Sequence, residues 1–289
     1  LQATVLGYFP QEDSQKTAAL VKSLMKVALR PLIFRFDSLP STNTEAARQA
    51  RQGAPEGLCV VAREQTEGRG RAGRVWISPA EAGLYFSIVL RPENLKARMW
   101  PLLTLMAALA VRDALRSSCG IEADIKWPND ILSGERKLCG ILAETVETER
   151  GRAVVLGIGV NLNDQAFPPE LKEVATSVSA ITGKTADAEE LMRELIRALD
   201  GRYQTLRAEG GAQVIINDWS LHSSYAQDRR VRVTLYSETF TGRTRGLEPD
   251  GALRVETEPG EIKIIRAGDI TSLRASQGDE AEAVGRKPE

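Results

Sequence analysis

The chain has 289 residues, 42% hydrophobic and 27% charged, enough for a large core in one or two domains. Its 38 basic residues nearly balance 39 acidic ones, so no global charge draws it to nucleic acid, and its longest apolar run, 101–111, is too short to cross a bilayer. One histidine, His222, and three cysteines without metal spacing (Cys59, Cys119, Cys139) exclude a His-rich metal site and point to reduced thiols in a cytoplasmic protein.

Residues 1–31 read as an N-terminal extension. Apolar spacing at Leu20, Leu24, Val27 and Ala28 predicts a helix over 17–29, ended by Pro31. The extension is too short for a winged-helix DNA reader. A short strand at 32–36 leads into Ser41-Thr42-Asn43, where Thr42 and Glu45 fit a capping box that opens a helix over 45–52. Such residues are commonly only caps, yet a helix N-terminus lined with hydroxyl and amide groups also suits a polar ligand.

Strands expected at 57–63 and 83–90 flank the most distinctive stretch, Gly68-Arg69-Gly70-Arg71-Ala72-Gly73-Arg74-Val75-Trp76. Glycines let a backbone approach a ligand closely, and arginine offers a fixed fork of donors for phosphate or carboxylate. The composition predicts a loop that is mobile when free and closes over an anion. Gly68-x-Gly70-x-x-Gly73 also spells a dinucleotide fingerprint, but Val75 to Ser78 is β-prone and Pro79 follows, so no helix opens there and that reading fails.

Residues 100–117 are apolar on nearly every side and predict a buried helix. Next, Lys126-Trp127-Pro128-Asn129-Asp130 ends one strand sharply, and Lys137 opens another after a hairpin turn at 133–136. Lys126 and Lys137 are expected on paired strands; lysines at strand ends often serve only solubility. A strand over 153–163 carries Gly157 and Gly159 on one face, the mark of a closely passing ligand or backbone. Residues 188–207 have the spacing of one amphipathic helix. From residue 225, strict alternation at 230–235 and turns at 249–251 and 258–260 predict four or five short strands. Residues 276–289 are polar and expected to be disordered.

Taken together, these segments resemble the biotin–protein ligases, also called biotin–[acetyl-CoA-carboxylase] ligases. The resemblance rests on Ser41-Thr42-Asn43, Gln65, the 68–76 run, Lys126-Trp127-Pro128-Asn129-Asp130, Lys137-Leu138-Cys139-Gly140-Ile141-Leu142, Gly157-Ile158-Gly159-Val160-Asn161, and the closing Ser272-Leu273-Arg274. It covers about residues 32–275, and these motifs stand in the family's order. It implies an α+β fold: a catalytic domain at 32–222 with a mixed sheet flanked by helices, then a small SH3-like β-barrel at 225–275. The implied activity is ATP-dependent formation of biotinyl-5′-AMP and transfer of biotin to one lysine of a biotin carboxyl carrier protein, with Mg²⁺ assisting.

By the same resemblance, Ser41, Thr42, Asn43, Gln65, Arg69, Gly70 and Arg71 would contact biotin or its adenylate. Lys137 would hold the carboxyl oxygen or the phosphate, and Gly140 would leave room for the rings. Lys137, Arg69 and Arg71 are the implied catalytic residues. Trp76 would stack on adenine; Gly68, Lys126, Asn129 and Asn161 would serve the nucleotide, and Asp130 is the candidate Mg²⁺ ligand. Glu67 and Cys139 stand where the family has small residues. With no DNA-reading domain before residue 32, DNA binding is not expected, and a homodimer remains open. A lipoate–protein ligase and a non-catalytic regulatory or DNA-binding protein built on a ligase fold are the competing readings. Trp127-Pro128-Asn129-Asp130 and Gly68-Arg69-Gly70-Arg71 argue against the first, and intact Lys137, Arg69 and Arg71 with a nearly neutral overall charge argue against the second.

Overall fold

A computed structural model describes residues 29–164, 167–235, 238–258 and 260–272. The expected helix over 17–29, the C-terminal tail, Leu273 and Arg274 therefore lie outside the described residues, save Leu29.

The larger part is a seven-stranded mixed sheet in the order β1-β2-β3-β7-β6-β5-β4. β1 (Leu32–Leu39) and β2 (Leu58–Gln65) are its one parallel pair, joined by α1 (Thr42–Arg51). β3 (Gly83–Leu90), β4 (Asp124–Lys126), β5 (Asp130–Ser133), β6 (Arg136–Thr148) and β7 (Gly151–Asn161) complete it in antiparallel pairing.

Side chains alternate across a strand, and β3 displays the division. Leu84, Phe86, Ile88 and Leu90 face the main core, while Val89 packs with Ala46 and Ala50 of α1 on the other side. The main core is built on α2 (Leu102–Cys119), whose all-round apolarity buries eleven of its residues. Gly120, in the left-handed conformation at φ 67°, ends that helix. The short α3 (Val178–Thr182), then α4 (Ala188–Arg207) and α5 (Gly211–Leu221), follow β7, and α4 and α5 pack on α2's side. α4 matches its expected span, capped by Asp187, whose carboxylate accepts from the backbone N–H groups of Glu189 and Glu190.

Two local expectations need correction. The first concerns the capping box, which does not form. Helix α1 begins at Thr42, and the Ser41 side chain makes no cap bond. The backbone N–H and hydroxyl of Thr42 donate to Gln65 Oε1 at 2.8 and 3.1 Å, while Glu45 accepts from Arg48 and Gln49. A tertiary partner on β2 has taken the donor that a local cap would satisfy. The second concerns Lys126 and Lys137, which are not on directly paired strands: β5 lies between β4 and β6.

The C-terminal strands form a separate antiparallel sheet in the order β11-β10-β9-β8-β12. Its members are β8 (Gln227–Thr234), β9 (Thr239–Leu247), β10 (Leu253–Glu256), β11 (Ile262–Ile265) and β12 (Asp269–Ser272). Among the described residues the edge strands β11 and β12 do not pair, so the expected barrel is not closed. The sheet is nonetheless fixed to the larger part. The Trp127 indole Nε1 donates to the Gly251 carbonyl at 3.0 Å, and Val231, Val233 and Leu253 join the main core.

Candidate active site

A cavity of about 310 Å³ lies on the α1 side of the large sheet, within the usual range for small-molecule sites. Its floor follows from strand register. Tyr85, Gly159 and Gly140 stand in one row across β3, β7 and β6; Ser87, Gly157 and Leu142 stand in the next. The three glycines hollow this surface. A Cβ at Gly157 would lie 2.1 Å from Asn43 Oδ1, and one at Gly159 would lie 2.6 Å from the Trp76 Nε1. At Gly140 it would press on Trp76 and Lys137 at 3.0 and 3.1 Å. The expected close approach at Gly157 and Gly159 is therefore made by side chains of this same chain.

A hydrogen-bonded chain runs beneath one wall. Asn43 Nδ2 donates to Glu144 Oε2 at 2.8 Å and to the Leu142 carbonyl at 3.3 Å. Ser87 Oγ contacts both Asn43 Oδ1 (2.7 Å) and Thr42 Oγ1 (2.8 Å). Thr42 leads to Gln65, whose Nε2 donates to Ser78 Oγ at 2.8 Å, and Ser78 donates to the Trp76 carbonyl at 3.1 Å. Ser41, Thr42 and Asn43 are each about 4% exposed, so the polar groups of Thr42 and Asn43 depend on these partners.

The glycine–arginine loop closes on itself as a narrow hairpin, with bridges at Gln65↔Ser78 and Arg69↔Val75. The Trp76 N–H donates to the Gly68 carbonyl, and a Cβ on Gly68 would lie 2.1 Å from the Trp76 carbonyl oxygen, so only glycine fits there. A single 3₁₀ turn at Arg71–Gly73 follows, with no α-helix, as expected from the failed dinucleotide fingerprint.

Among the described residues, four cations line the cavity (Arg69, Arg71, Arg74 and Lys137) and no carboxylate does. Three of them are paired with carboxylates set behind the wall: Arg69 with Glu144 at 2.8 Å, Arg74 with Asp269 of β12 at 3.0 Å, and Lys137 with Asp130 at 2.6 Å. Arg71 instead donates from Nη1 to Asn129 Oδ1 at 3.2 Å. Burial pulls the Arg71 guanidinium below its ordinary value, partly offset by Asp269, but arginine stays charged at any physiological pH. An anion entering this cavity meets fixed positive charge in a partly dehydrated setting, where such charge is most effective.

The remaining wall is residues 171–176, which run beside the start of β6. The Lys137 N–H donates to the Val174 carbonyl and the Thr176 N–H to the Lys137 carbonyl, each at 2.9 Å. Asn161 Nδ2 donates to the carbonyls of Thr176 (3.0 Å) and Lys137 (3.3 Å), so its amide donors hold this wall. Asn129 does a similar job on β6, donating to the Ile141 carbonyl at 2.7 Å.

The structure brings Ser41, Thr42, Asn43, Gln65, Arg69, Gly70, Arg71, Trp76, Asn129, Lys137, Gly140 and Asn161 into one cavity lining. Gly68, Lys126 and Asp130 are outside it: Gly68 shapes the hairpin, and Asp130 stands behind Lys137. Lys126 sits at the end of β4 with its Nζ 5.9 Å from the Tyr225 ring centre, and burial holds its ammonium below the usual lysine range. His222 Nδ1 lies 2.8 Å from the Asp218 carbonyl at the end of α5, outside the cavity. Sequence reasoning missed Ser78, Ser87 and Glu144, and the wall residues Phe167, Leu171, Val174 and Ala175. For Glu144 a signal existed, since it shares a strand face with Gly140 and Leu142.

Asp130 does not by itself make a resident metal site. Its carboxylate is engaged by Lys137, and among the described residues no group of three His, Cys, Asp or Glu side chains could hold a metal ion. Mg²⁺ keeps most of its ligands as water and phosphate, so a Mg²⁺ arriving on a nucleotide would be part of the substrate.

Comparison with known proteins agrees with this geometry. Residues 35–161 match the biotin/lipoate A/B protein ligase family, and residues 228–271 match the biotin protein ligase C-terminal domain. The chain is 40% identical over 239 residues to a bifunctional ligase/repressor from Bacillus subtilis, covering 81% of this chain and 72% of that one. It is 36% identical over 236 residues to a biotin–[acetyl-CoA-carboxylase] ligase of Paracoccus denitrificans, covering 80% of this chain and 96% of that one. Among solved structures, the biotin protein ligase from Aquifex aeolicus in complex with biotin and ATP superposes with a TM-score of 0.73 at 29% identity, covering 84% of this chain and 99% of that one. A hollowed sheet floor under a glycine–arginine hairpin, in a chain this similar to known ligases over both matched regions, places it in the biotin protein ligase family.

Proposed function

We propose that this chain activates biotin with ATP and passes it to one lysine of a carrier protein, such as the biotin carrier subunit of acetyl-CoA carboxylase. The observation that carries the reading is the cavity lining, four cations and, among the described residues, no carboxylate, over a floor where Gly140, Gly157 and Gly159 give room to the Asn43, Trp76 and Lys137 side chains. The reaction brings two anions together. A biotin carboxylate oxygen attacks the α-phosphorus of ATP, the bond to the β-phosphate breaks, and pyrophosphate leaves. The carrier lysine amine then attacks the acyl carbonyl, loses a proton, and AMP leaves. Both steps are served by positioning and electrostatic stabilisation.

Ser41, Thr42, Asn43 and Gln65 offer hydroxyl and amide groups to biotin, the last three held by the hydrogen-bonded chain beneath them. Arg69, Arg71 and Lys137 face the carboxylate and the phosphate, and Lys137 is the group best placed to stabilise charge where the two meet. Trp76 supplies an aromatic face for adenine. Its Nε1 is buried against Gly159 without a hydrogen-bond partner among the described residues. Asn129 and Asn161 hold the walls on the nucleotide side, Gly70 gives the ligand access to the loop backbone, and Gly68 holds the hairpin closed. Lys126 adds charge from outside the lining. Mg²⁺ enters with ATP and neutralises phosphate charge. The five-stranded C-terminal sheet is read as the SH3-like unit of the family, closing one side through Arg74 and Asp269. A cytoplasmic setting suits the free cysteines.

The test is pyrophosphate release by the purified chain with ATP and biotin, set against ATP with lipoate. Release that depends on biotin supports the reading. Release with lipoate alone moves the chain to the other activity in the matched family's name, and release with neither refutes an adenylating function.

A further inference from the structure

We infer that Glu144, a residue outside the cavity lining, is a positioning residue that aims Arg69 and Asn43 at the ligand and so sets affinity for the carboxylate substrate. The inference rests on the function proposed above, because it takes Arg69 and Asn43 to meet that substrate.

One oxygen, Glu144 Oε2, accepts from Arg69 Nη2 and from Asn43 Nδ2, both at 2.8 Å. A single carboxylate thus joins the glycine–arginine hairpin to the N-terminal turn of α1. Arg69 commits only Nη2. Its Nε and Nη1 make no other hydrogen bond among the described residues, so one edge of the fork is pinned and the other is left for an incoming anion. The remaining amide of the pair is fixed as well, since Asn43 Oδ1 accepts from Ser87 Oγ.

Beyond Ser87 the hydrogen bonds continue through Thr42, Gln65 and Ser78 to the Trp76 carbonyl. Both legs of the hairpin therefore hang on one polar chain, Arg69 at its start and Trp76 at its end, and Glu144 is the charged anchor. The Arg69 and Glu144 side chains are 46% and 31% exposed. An ion pair this open to solvent does little for stability, so its main consequence is geometric. It also removes freedom from an arginine that would otherwise be ordered only when the ligand arrives.

Glu144→Ala removes the anchor, and Glu144→Gln keeps an acceptor oxygen but loses the charge. Each is made alone and with Arg69→Ala, and biotin-dependent pyrophosphate release, Tm and tryptic cleavage within 68–74 of the ligand-free protein are measured. Losing the charge-assisted bond to Arg69 should raise KM for biotin about ten- to a hundredfold with kcat little changed, while the lost bond to buried Asn43, which keeps its bond to the Leu142 carbonyl, lowers Tm by only a few degrees. Glu144→Gln should fall between Glu144→Ala and the starting chain. With Arg69 already replaced, Glu144→Ala should raise KM by a smaller factor than it does alone. An unchanged KM, or equal factors in both backgrounds, overturns the inference; so does a fall in Tm with KM unaltered, which marks a merely structural residue. Tryptic cleavage separates this from the function itself. If the starting chain releases no pyrophosphate, the proposed activity is wrong. Glu144→Ala must still speed cleavage of the ligand-free hairpin, and equal cleavage rates refute the anchor.

Discussion

Replacing Gly157 by alanine puts a methyl group where the Asn43 side chain now lies. The new Cβ would be 2.1 Å from Asn43 Oδ1 and 2.8 Å from its Cγ, whereas ordinary contacts begin at 3.4 Å. The amide must retreat by more than an ångström. Asn43 is about 4% exposed and held by the Leu142 carbonyl, Glu144 and Ser87, so no solvent stands ready to replace those bonds. At about 0.5–1.5 kcal/mol for each of these hydrogen bonds, the loss is roughly 2–4 kcal/mol. For a domain of this size that lowers Tm on the order of 10 °C. A displacement of this size at a binding group also costs on the order of 10²-fold in productive substrate engagement. Gly201→Ala is the control: it lies inside α4, nothing stands within 4 Å of its added Cβ, and helix propensity makes the exchange worth up to about 1 kcal/mol of added stability. Thermal unfolding and the biotin dependence of pyrophosphate release are measured for both variants. A Gly157→Ala chain with unchanged KM and a Tm matching Gly201→Ala would refute the packing argument.

Other outcomes follow from the same geometry. Lys137→Ala should slow biotin-dependent pyrophosphate release about 10²–10³-fold at saturating substrates, because a fixed ammonium acts most where charge gathers in the transition state; turnover at the original rate would remove Lys137 from that role. Trp76→Ala should mainly raise KM for ATP, since stacking is worth about 1–3 kcal/mol and changes little between ground and transition states; varying ATP at fixed biotin reads this directly. Burial pushes the Cys59 thiol up to about 12, so at pH 8 a thiol reagent should label half-buried Cys119 well before Cys59, with all three thiols reacting after denaturation. Because the folded value lies above the ordinary 9.0, the stability from protonated Cys59 is intact below about pH 9 and lost as pH rises toward 12. Cys59→Ala should therefore flatten the fall of Tm across that alkaline window.

Much of the site is legible in the sequence because the motif residues carry their geometry with them. Gly157 and Gly159, two apart on a strand, must share a face, and the structure puts them under Asn43 and Trp76. The β-prone Val75 to Ser78 excludes a helix, and the chain returns there as the second leg of a hairpin. What stayed hidden depends on tertiary partners. Thr42 and Glu45 have the spacing of a capping box, yet Gln65, distant in sequence, takes the donor. For Glu144 the sequence shows only that it shares a strand face with Gly140 and Leu142; that Arg69 and Asn43 meet on it depends on the fold. Helix α5 was missed because Val214, Ile215 and Ile216 are β-branched and Gly210 gives no side-chain cap; burial of Ile215 and Trp219, four apart, decides for helix. The wall at 171–176 has no periodicity to read, since it is held by backbone bonds to Lys137 and by Asn161.

The most direct measurement is the mass of a biotin-carrier domain after incubation with this chain, biotin, ATP and Mg²⁺. The account predicts one added biotinyl group on one lysine, absent when either biotin or ATP is left out and strongly reduced with Lys137→Ala. An unmodified carrier, under conditions where a known biotin–protein ligase modifies the same domain, would contradict it.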